Sequence, residues 1–291
     1  MDLIDQRFLA YENFLGIIGL VSIFFLGLTI IETVWDFYKT KRQRYGETAT
    51  NIGIFIVNTA LERTLYGSLF VILLYFVEPF RAWVMPHTWW SMVLAIIAAD
   101  FSYYWMHRIE HEVRILWAYH SVHHSSSEYN LTTAMRLAWV EGLFEWVFFV
   151  PMILIGFDVV QTTLALLTVV IYQTWIHTQK IGKLGWLDTV FNTPSVHRVH
   201  HGSNAQYIDK NYGGILIIWD RLFGTYEAEN EKVVFGITEP PHSINPIKVN
   251  FFEFGRILKD AWQAKSLGHA FGFIFKGPGW KPNKNEIRKG E

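Results

Sequence analysis

The sequence contains no cysteine and little charge. The absence of cysteine from all 291 residues excludes structural disulfides, thiolate nucleophiles, cysteine-type zinc sites and cysteine-bound iron–sulfur clusters. Charged residues make up 18% of the chain, below the roughly 25% typical of soluble domains. Because the net charge is −1 and no basic groove with stacking aromatic residues can be recognised, nucleic acid is not an expected partner.

What the sequence has instead is apolar: 51% of its residues are hydrophobic and 17% are aromatic. Two uncharged stretches, 14–31 and 159–176, approach the roughly 20 residues that a transmembrane helix needs. Weaker candidates at about 50–77, 88–106 and 139–157 each contain one or two charged residues. We therefore predict an all-α, polytopic helical membrane bundle of about four to five spans.

Basic residues indicate the orientation of these spans. With the N terminus outside and five crossings, nearly all of the 25 lysines and arginines fall on the cytoplasmic side, as the positive-inside rule requires. Three regions are then expected: N-terminal transmembrane helices in 1–106, a histidine-rich region in 107–275 with two further spans at about 139–176, and a flexible charged tail in 276–291. The histidine-rich region would form a helical cap on the cytoplasmic face.

Nine of the 12 histidines lie between residues 107 and 201. The pattern H-x-x-H-H occurs twice, as "HSVHH" at 120–124 and "HRVHH" at 197–201, and "HRIEH" covers 107–111. Helical residues three and four apart share a face, so each triplet is expected to direct its imidazoles at one point. Imidazole is the commonest metal ligand and suits iron, copper, zinc or nickel. The predicted ligands are His107, His111, His120, His123, His124, His177, His197, His200 and His201.

Nine ligands are too many for one ion, since zinc takes four and iron up to six, and two metals are therefore expected. Neutral imidazoles leave the charge of two divalent ions uncompensated, so carboxylates should accept the outer ring N–H groups of the ligands. The candidates for this are Asp100, Glu112, Glu128 and Asp209. The isolated histidines His87, His242 and His269 are expected to lie outside the metal site.

Other residues near the boxes are candidates for the walls of the site. "DKNYGG" after the third box is expected to form a turn that brings Asn204, Asn211 and Tyr212 close to the metals. Aromatic side chains beside the boxes could line a substrate channel, although aromatic residues at a membrane surface are also common interfacial anchors. These aromatic candidates are Trp105, Trp117, Tyr119 and Tyr129.

The segments "HRIEHE", "HSVHHSSSEYNLTTAMR" and "NTPSVHRVHHGSN" resemble the three histidine boxes of the membrane fatty acid hydroxylase and sterol desaturase superfamily. "YIDKNYGGILIIWDRLFGTYEAENEKVVFGIT" and "FKGPGW" resemble, more narrowly, its alkylglycerol monooxygenase branch. That branch usually reads "PSHHRVHH", and Val196 stands where its additional histidine would be.

The resemblance implies an integral membrane protein of the bacterial inner membrane or endoplasmic reticulum, with two iron ions and O₂ as co-substrate. It also implies a long-chain lipid substrate, and the narrower branch implies ether-linked glycerolipids as substrate and tetrahydrobiopterin as reductant. A redox protein is the alternative electron donor. We therefore expect a lipid monooxygenase, with Asp100, Glu112, Asn204 and Tyr212 assisting catalysis. The alternative is a sterol or fatty acyl desaturase with the same di-iron site.

Two other classes of protein fit the pattern less well. A metal transporter is disfavoured because its sites would lie near the bilayer midplane, whereas these histidines lie beyond the spans. A zinc hydrolase is disfavoured because its metal has three protein ligands and an open position.

Overall fold

The computed structural model of the protein describes residues 7, 9, 11–40 and 45–282. Within these ranges the regular structure is helical, and β pairing is confined to two isolated bridges, Phe191–Leu216 and Gly202–Phe235. The all-α prediction is confirmed for this part of the chain.

Eleven α-helices follow one another in the described ranges. They are α1 (Glu12–Thr40), α2 (Tyr45–Leu61), α3 (Gly67–Val77), α4 (Trp89–Glu112), α5 (Arg114–His124), α6 (Trp146–Leu154), α7 (Val159–Tyr172), α8 (Pro194–His200), α9 (Ile218–Phe223), α10 (Pro246–Trp262) and α11 (Leu267–Phe275). A π-helix, Glu62–Tyr66, joins α2 to α3, and 3₁₀ turns cover Glu78–Phe80, Leu131–Met135, Glu141–Leu143 and Gly185–Thr189.

Two continuous helical stretches of the described residues are long and apolar enough to cross a membrane. The first, Glu12–Lys39, lies in α1, and the second, Gly46–Phe80, runs through α2, the π-helix and α3. Only 6% and 17% of their most apolar stretches are buried within the fold. Leu20 and Phe76, for example, are 70% and 68% exposed. Apolar surface of this extent is removed from water most simply by lipid, so both helices are candidate membrane spans.

The helices α6 and α7 lie in the last two predicted spans, and both are shorter than those spans. α6 has nine residues and α7 has 14, which is about 14 Å and 21 Å against a hydrocarbon layer of about 30 Å. The prediction of one helix over 139–157 was wrong because Glu141 folds back to accept a hydrogen bond from the Ala138 N–H, 3.0 Å away, and a 3₁₀ turn follows. The helix predicted to reach residue 176 ends at Tyr172. The total of four to five crossings stays a prediction.

The C-terminal end of α4 carries the first histidine box out of a tightly packed core. Ala95 and Ala99 of α4 lie in one buried cluster with Leu164 and Val169 of α7. Small residues on α4 let the two helices approach closely, because no long side chain separates their backbones. This core fixes the position from which the histidine-bearing residues of α4 project.

A fully buried arginine joins the second histidine box to α2. Arg136 donates to the Val122 carbonyl (2.8 Å), the Glu47 carboxylate (2.8 Å) and the Ser125 hydroxyl (2.9 Å). A buried guanidinium is tolerated only when its donors find partners. Here Glu47 belongs to α2, whereas Val122 and Ser125 belong to α5 and its C-terminal cap. Arg136 therefore fixes α5 against the apolar helix α2.

The segment predicted to be a flexible tail is partly ordered. The Lys276 carbonyl accepts a hydrogen bond from the Arg114 N–H at 3.0 Å, and the Trp280 ring packs 5.2 Å from the Phe273 ring. The aromatic ring of Trp280 therefore packs against α11, and the predicted boundary before residue 276 stays a prediction. Residues 283–291 of the predicted tail lie outside the described residues.

Candidate metal centre

The structure brings the nine predicted histidines together in two adjacent groups, and every one of them is buried. In each group the potential ligand atoms lie within 4.8 Å of one another. The five-histidine group is His107, His111, His120, His124 and His200. The four-histidine group is His123, His177, His197 and His201.

Each H-x-x-H-H triplet contributes to both groups. On α5 the first and last histidines belong to the five-histidine group, and His123 belongs to the four-histidine group. At α8 the assignment is reversed, because only His200 joins the five-histidine group. The expectation that a triplet directs all three rings at one point was therefore wrong. In each triplet the two histidines that are four residues apart belong to one group, and the middle histidine belongs to the other.

The ring nitrogens approach one another as ligands of a common ion would. His120 Nε2 lies 3.0 Å from His107 Nε2 and 3.1 Å from His124 Nε2. In the other group, His177 Nε2 lies 3.1 Å from His123 Nε2 and 3.0 Å from His197 Nε2. Two nitrogens bound at right angles to one ion, with bonds of about 2.1 Å, would be about 3.0 Å apart.

Five ring nitrogens of the two groups are buried without a hydrogen-bond partner among the described residues. Three are the Nε2 atoms of His111, His200 and His201, and two are the Nδ1 atoms of His120 and His123. Buried polar atoms are normally satisfied, so such a concentration of unsatisfied atoms requires an explanation. A metal ion in each group would provide it, because a ring nitrogen bound to metal needs no other partner. The residues present therefore fit two metal ions.

Burial keeps these imidazoles neutral. Removal from water lowers the pKa of His120 to about 3 and the pKa of His177 to about 4. The pKa of His200 is also well below its usual value, mainly through burial and further through nearby His107. A neutral imidazole has a free lone pair, so the rings are ready to bind a metal at physiological pH.

Outer ring nitrogens in both groups are fixed by backbone carbonyls. The Nδ1–H of His107 donates to the Tyr212 carbonyl at 2.9 Å, and that of His200 donates to the Lys210 carbonyl at 2.9 Å. In the four-histidine group, His177 Nδ1 donates to the Gln173 carbonyl at 2.7 Å. These bonds select the tautomer with a bare Nε2, which is the nitrogen that faces the group.

The buried carboxylate beside the five-histidine group is Glu110, which sequence reasoning missed. Its Oε2 lies 3.0 Å from His120 Nδ1, and its Oε1 accepts a hydrogen bond from the Tyr119 hydroxyl at 2.9 Å. The available signal was its position three residues after His107, on the same helical face. Among the predicted carboxylates, Asp209 is the one near an imidazole, with Oδ1 3.4 Å from His111 Nδ1.

Asp100 and Glu112 bind other parts of the chain instead of imidazoles. Asp100 accepts hydrogen bonds from the backbone N–H groups of Ile215 (2.6 Å) and Leu216 (3.0 Å), and from the indole of Trp219 (2.9 Å). Asp100 therefore holds the loop after the third box. Glu112 is half-exposed and pairs with Arg108 at 2.8 Å. The Glu128 carbonyl accepts from Ser126 and Thr133, and its carboxylate has no described contact with the centre.

The residues predicted around "DKNYGG" separate in the structure. The Tyr212 ring lies beside the centre, 5.2 Å from the His111 ring. Asn211 instead donates to the Val196 carbonyl (3.0 Å), and Asn204 donates to Glu231 (2.6 Å) and accepts from the Val234 N–H (2.8 Å). Both asparagines tie loops together, and neither side chain bonds to an imidazole.

Two cavities reach the imidazoles. The cap cavity, about 320 Å³, is lined by His111, Trp117, His124, His201, Asp209 and Gly279. The membrane cavity, about 360 Å³, is lined by His120, His123 and His177 and continues between apolar side chains that include Phe70 and Leu167. Each cavity touches both histidine groups, so the centre is accessible from two directions.

The aromatic candidates and the isolated histidines occupy different places. Trp117 lines the cap cavity, and the Tyr129 ring lies 5.1 Å from the His201 ring. Trp105 packs against Phe101 and Phe223, away from the imidazoles, and Tyr119 supports Glu110. Three histidines belong to neither group: His87, which is bonded to Asp158, the exposed His242 and the partly buried His269.

A comparison with known families identifies the region that contains these histidines. The fatty acid hydroxylase family model matches residues 92–225. Residues 92–225 are thus similar to the fatty acid hydroxylase family. The resemblance that the histidine boxes indicated is thereby confirmed, because all nine grouped histidines lie within the matched residues.

Curated relatives that align with most of the chain agree with this match. Alkylglycerol monooxygenase of Homo sapiens is 41% identical over 277 residues, and that of Danio rerio is 35% identical over 292 residues. These alignments cover 91% and 97% of this chain but 60% and 64% of the relatives. The chain thus spans less than two thirds of the length of either.

A further relative is named for a lipid other than the alkylglycerols. The ornithine lipid hydroxylase OlsE of Rhizobium tropici is 27% identical over 217 residues, which is 68% of this chain and 63% of that protein. No solved structure matches the chain significantly.

Proposed function

We propose that the protein is an integral-membrane oxygenase that uses two iron ions and O₂ to hydroxylate a C–H bond of a lipid. The observation that carries the proposal is the pair of buried histidine groups at the head of an apolar cavity. Fatty acid hydroxylase and alkylglycerol monooxygenase relatives support the reaction class. Ether-linked alkylglycerols are the proposed substrates.

Two irons in these groups would supply the one-electron and O₂ chemistry that amino-acid side chains lack. The nine histidines would hold the ions, and Glu110 would orient the His120 ring and offset part of their charge. Phe70 and Leu167 would hold the alkyl chain and keep water away from the reacting carbon. If the hydroxylated carbon adjoins an ether oxygen, the product is a hemiacetal that separates into a fatty aldehyde and a glycerol derivative.

The exposed apolar surfaces of α1 to α3 support insertion in a membrane. Together with the distribution of basic residues, they support a centre on the cytoplasmic face. The cap cavity shares no lining residue with the membrane cavity and touches His111, His124 and His201. We propose this cavity as the approach for an electron donor, either a reduced pterin or a redox protein.

The test is an ¹⁸O₂ experiment on detergent-purified protein loaded anaerobically with ferrous iron. Anaerobic loading is needed because zinc binds imidazole more tightly than ferrous iron does. Alkylglycerols, sterols and fatty acyl lipids are offered together with reduced pterin or with ferredoxin. We expect one ¹⁸O atom in a hydroxylated lipid or fatty aldehyde.

A new double bond without label would replace the proposal with a desaturase. Lipid turnover without O₂, or no lipid change with two irons bound, would contradict the proposal. Protein loaded with zinc alone serves as the matched control and should give no labelled product.

A further inference from the structure

The apolar side chains of α10 lie on two different faces of the helix. Val249 is fully buried in one cluster with Val122 of α5. Ile247, Leu258 and Trp262 are instead 61%, 72% and 91% exposed. Contiguous exposed apolar surfaces mark interaction sites, so this second face is expected to have a partner.

Helical geometry places the exposed apolar residues of α10 on one stripe. At about 100° per residue, four of them point within about 60° of one another. They are Ile247, Phe251, Leu258 and Trp262. Lys248 and Lys259, both exposed, follow one edge of this stripe, about 80° from its centre. This is the pattern of a helix that lies along a bilayer surface, with its apolar face in the lipid and its lysines at the phosphates.

The acidic residues of α10 are confined to the face that packs on the protein. Glu253 and Asp260 both pair with Arg114, the first residue of α5, at 2.9 Å and 2.7 Å. The helix contains no other acidic residue. Within α10 the exposed stripe is therefore bordered by positive charge alone, which suits the phosphate groups of a lipid surface.

The stripe begins beside the second candidate span. The Ile244 carbonyl, two residues before α10, accepts a hydrogen bond from the Thr50 hydroxyl of α2 at 2.6 Å. Trp139 connects the same two helices. Its indole N–H donates to the Ile54 carbonyl at 3.2 Å, and its ring lies 6.1 Å from the Phe251 ring of the stripe. The helix α10 thus lies against the first turns of this span.

The first turns of the span are where a bilayer surface is expected. The span has 35 residues, so it is about 52 Å long, whereas the hydrocarbon core of a bilayer is about 30 Å thick. Its ends therefore extend into the head-group layers. On α2 itself, Ile52 and Ile56 are 43% and 62% exposed at this level, so the apolar surface of the span continues toward the stripe of α10.

We propose that the exposed stripe of α10 lies in the head-group layer of the bilayer that holds α1 to α3, with Lys248 and Lys259 at the lipid phosphates. This surface is separate from the proposed reaction, and its contact with lipid rests on the proposed membrane insertion. Through Arg114, α10 is joined to the start of α5, which carries the second histidine box. The lipid surface would therefore fix the height of the metal centre above the membrane.

The experiment measures the surroundings of a nitroxide spin label attached to single cysteines. The full-length, metal-free protein is placed in nanodiscs of phosphatidylcholine and phosphatidylglycerol. Because the chain has no cysteine of its own, each label reports one position. Oxygen concentrates in lipid and a nickel chelate stays in water, so the ratio of collisions with the two gives the depth of the label. We expect the labels in I247C, L258C and W262C to collide mainly with oxygen, at a depth of about 5–10 Å.

Two labelled variants serve as controls. The carbonyl of the exposed Glu239 accepts a hydrogen bond from Arg256 at 2.8 Å, and Arg256 points about 150° away from the stripe. The label in E239C should therefore collide mainly with the nickel chelate. Leu20 in α1 is 70% exposed, and the label in L20C should collide mainly with oxygen because α1 is inserted. All five substitutions replace exposed side chains, so each variant should fold.

The lysine contacts are tested by replacing both residues. Each lysine near an anionic lipid surface strengthens binding about fivefold. Only part of the lipid around the protein contacts α10, so we expect the preference for spin-labelled phosphatidylglycerol over phosphatidylcholine to fall at least about twofold in K248Q/K259Q. K232Q, at an exposed lysine outside α10, is the control and should leave this preference unchanged.

Nickel collisions that dominate at all three stripe positions, while L20C favours oxygen, would overturn the inference. Protection of these positions from both reagents would also overturn it, because protein, for example a second copy of the chain, would then cover the stripe. An unchanged lipid preference in K248Q/K259Q would contradict the lysine contacts. A label in L20C that favours nickel would contradict the membrane insertion and this surface with it. Neither iron nor turnover is required, so the result is independent of the ¹⁸O₂ test of the oxygenase.

Discussion

The two histidine groups differ in ligand number and in the chemistry of their surroundings. The five-histidine group has two carboxylates beside it, Glu110 at 3.0 Å from His120 and Asp209 at 3.4 Å from His111. In the four-histidine group, the Gln173 carbonyl bonds to His177, and the amide of Asn192 lies 3.3 Å from His197 Nδ1. An ion in the five-histidine group would thus be more fully coordinated and more fully charge-compensated. The four-histidine group leaves more room for exogenous ligands.

The largest expected effect comes from removing one ligand from each group. H197A and H200A change neighbouring turns of α8 but affect different groups. H200A would leave four histidines in its group, the number that the other group has naturally, whereas H197A would leave three. We expect both variants to lose lipid oxidation, H200A to retain close to two irons per chain, and H197A to fall toward one.

Iron per chain, measured by mass spectrometry after anaerobic loading, checks this difference. H242A, at an exposed histidine outside both groups, is the control and should resemble the wild type. Equal iron loss in H197A and H200A would show that the division into five and four ligands is not the functional one.

The next effect concerns the carboxylates beside the five-histidine group. E110Q should lower iron affinity or turnover by about 10- to 100-fold, because partners of this kind orient the ligand ring and raise its basicity. D209N should have a smaller effect, since the Asp209 side chain is 56% exposed and its contact is longer. Titration of iron into metal-free protein provides the affinities.

Y119F is the matched control for E110Q, because it removes the hydroxyl that holds Glu110 and keeps the carboxylate. An intermediate loss of affinity is expected. A larger loss in D209N than in E110Q would contradict the assignment of Glu110 as the main support.

The substitution D100N should have the smallest effect on the difference in iron binding between the two histidine groups. The loop that Asp100 holds carries the Tyr212 carbonyl, which holds His107, and the Gly213 carbonyl, which accepts from Asn192 beside His197. D100N should therefore affect both groups alike. We expect a loss of roughly 1–3 kcal/mol in the free energy of unfolding from weakened charged hydrogen bonds, visible as a lower melting temperature, with two irons retained at low temperature. Selective loss of one iron would contradict a shared anchor.

The sequence was sufficient to find the nine histidines and the helical class, because metal-ligand spacing and long apolar runs are local patterns. The sequence could not show that His123 and His124 belong to different groups, or that His200 and His201 do, since this division depends on how α5 and α8 face each other. Glu110 was missed for the same reason, because its partner His120 lies on the next helix. The length of α6 was also missed, since the break near Glu141 depends on a backbone contact that hydropathy does not record.

The most direct test of the account is to locate iron in crystals of the anaerobically loaded protein by anomalous scattering at the iron edge. We predict two peaks per chain, one surrounded by the five-histidine group and one by the four-histidine group. A single peak, or iron bound away from the ring nitrogens that converge on His120 and His177, would contradict the two-metal centre from which the proposed oxygenase follows.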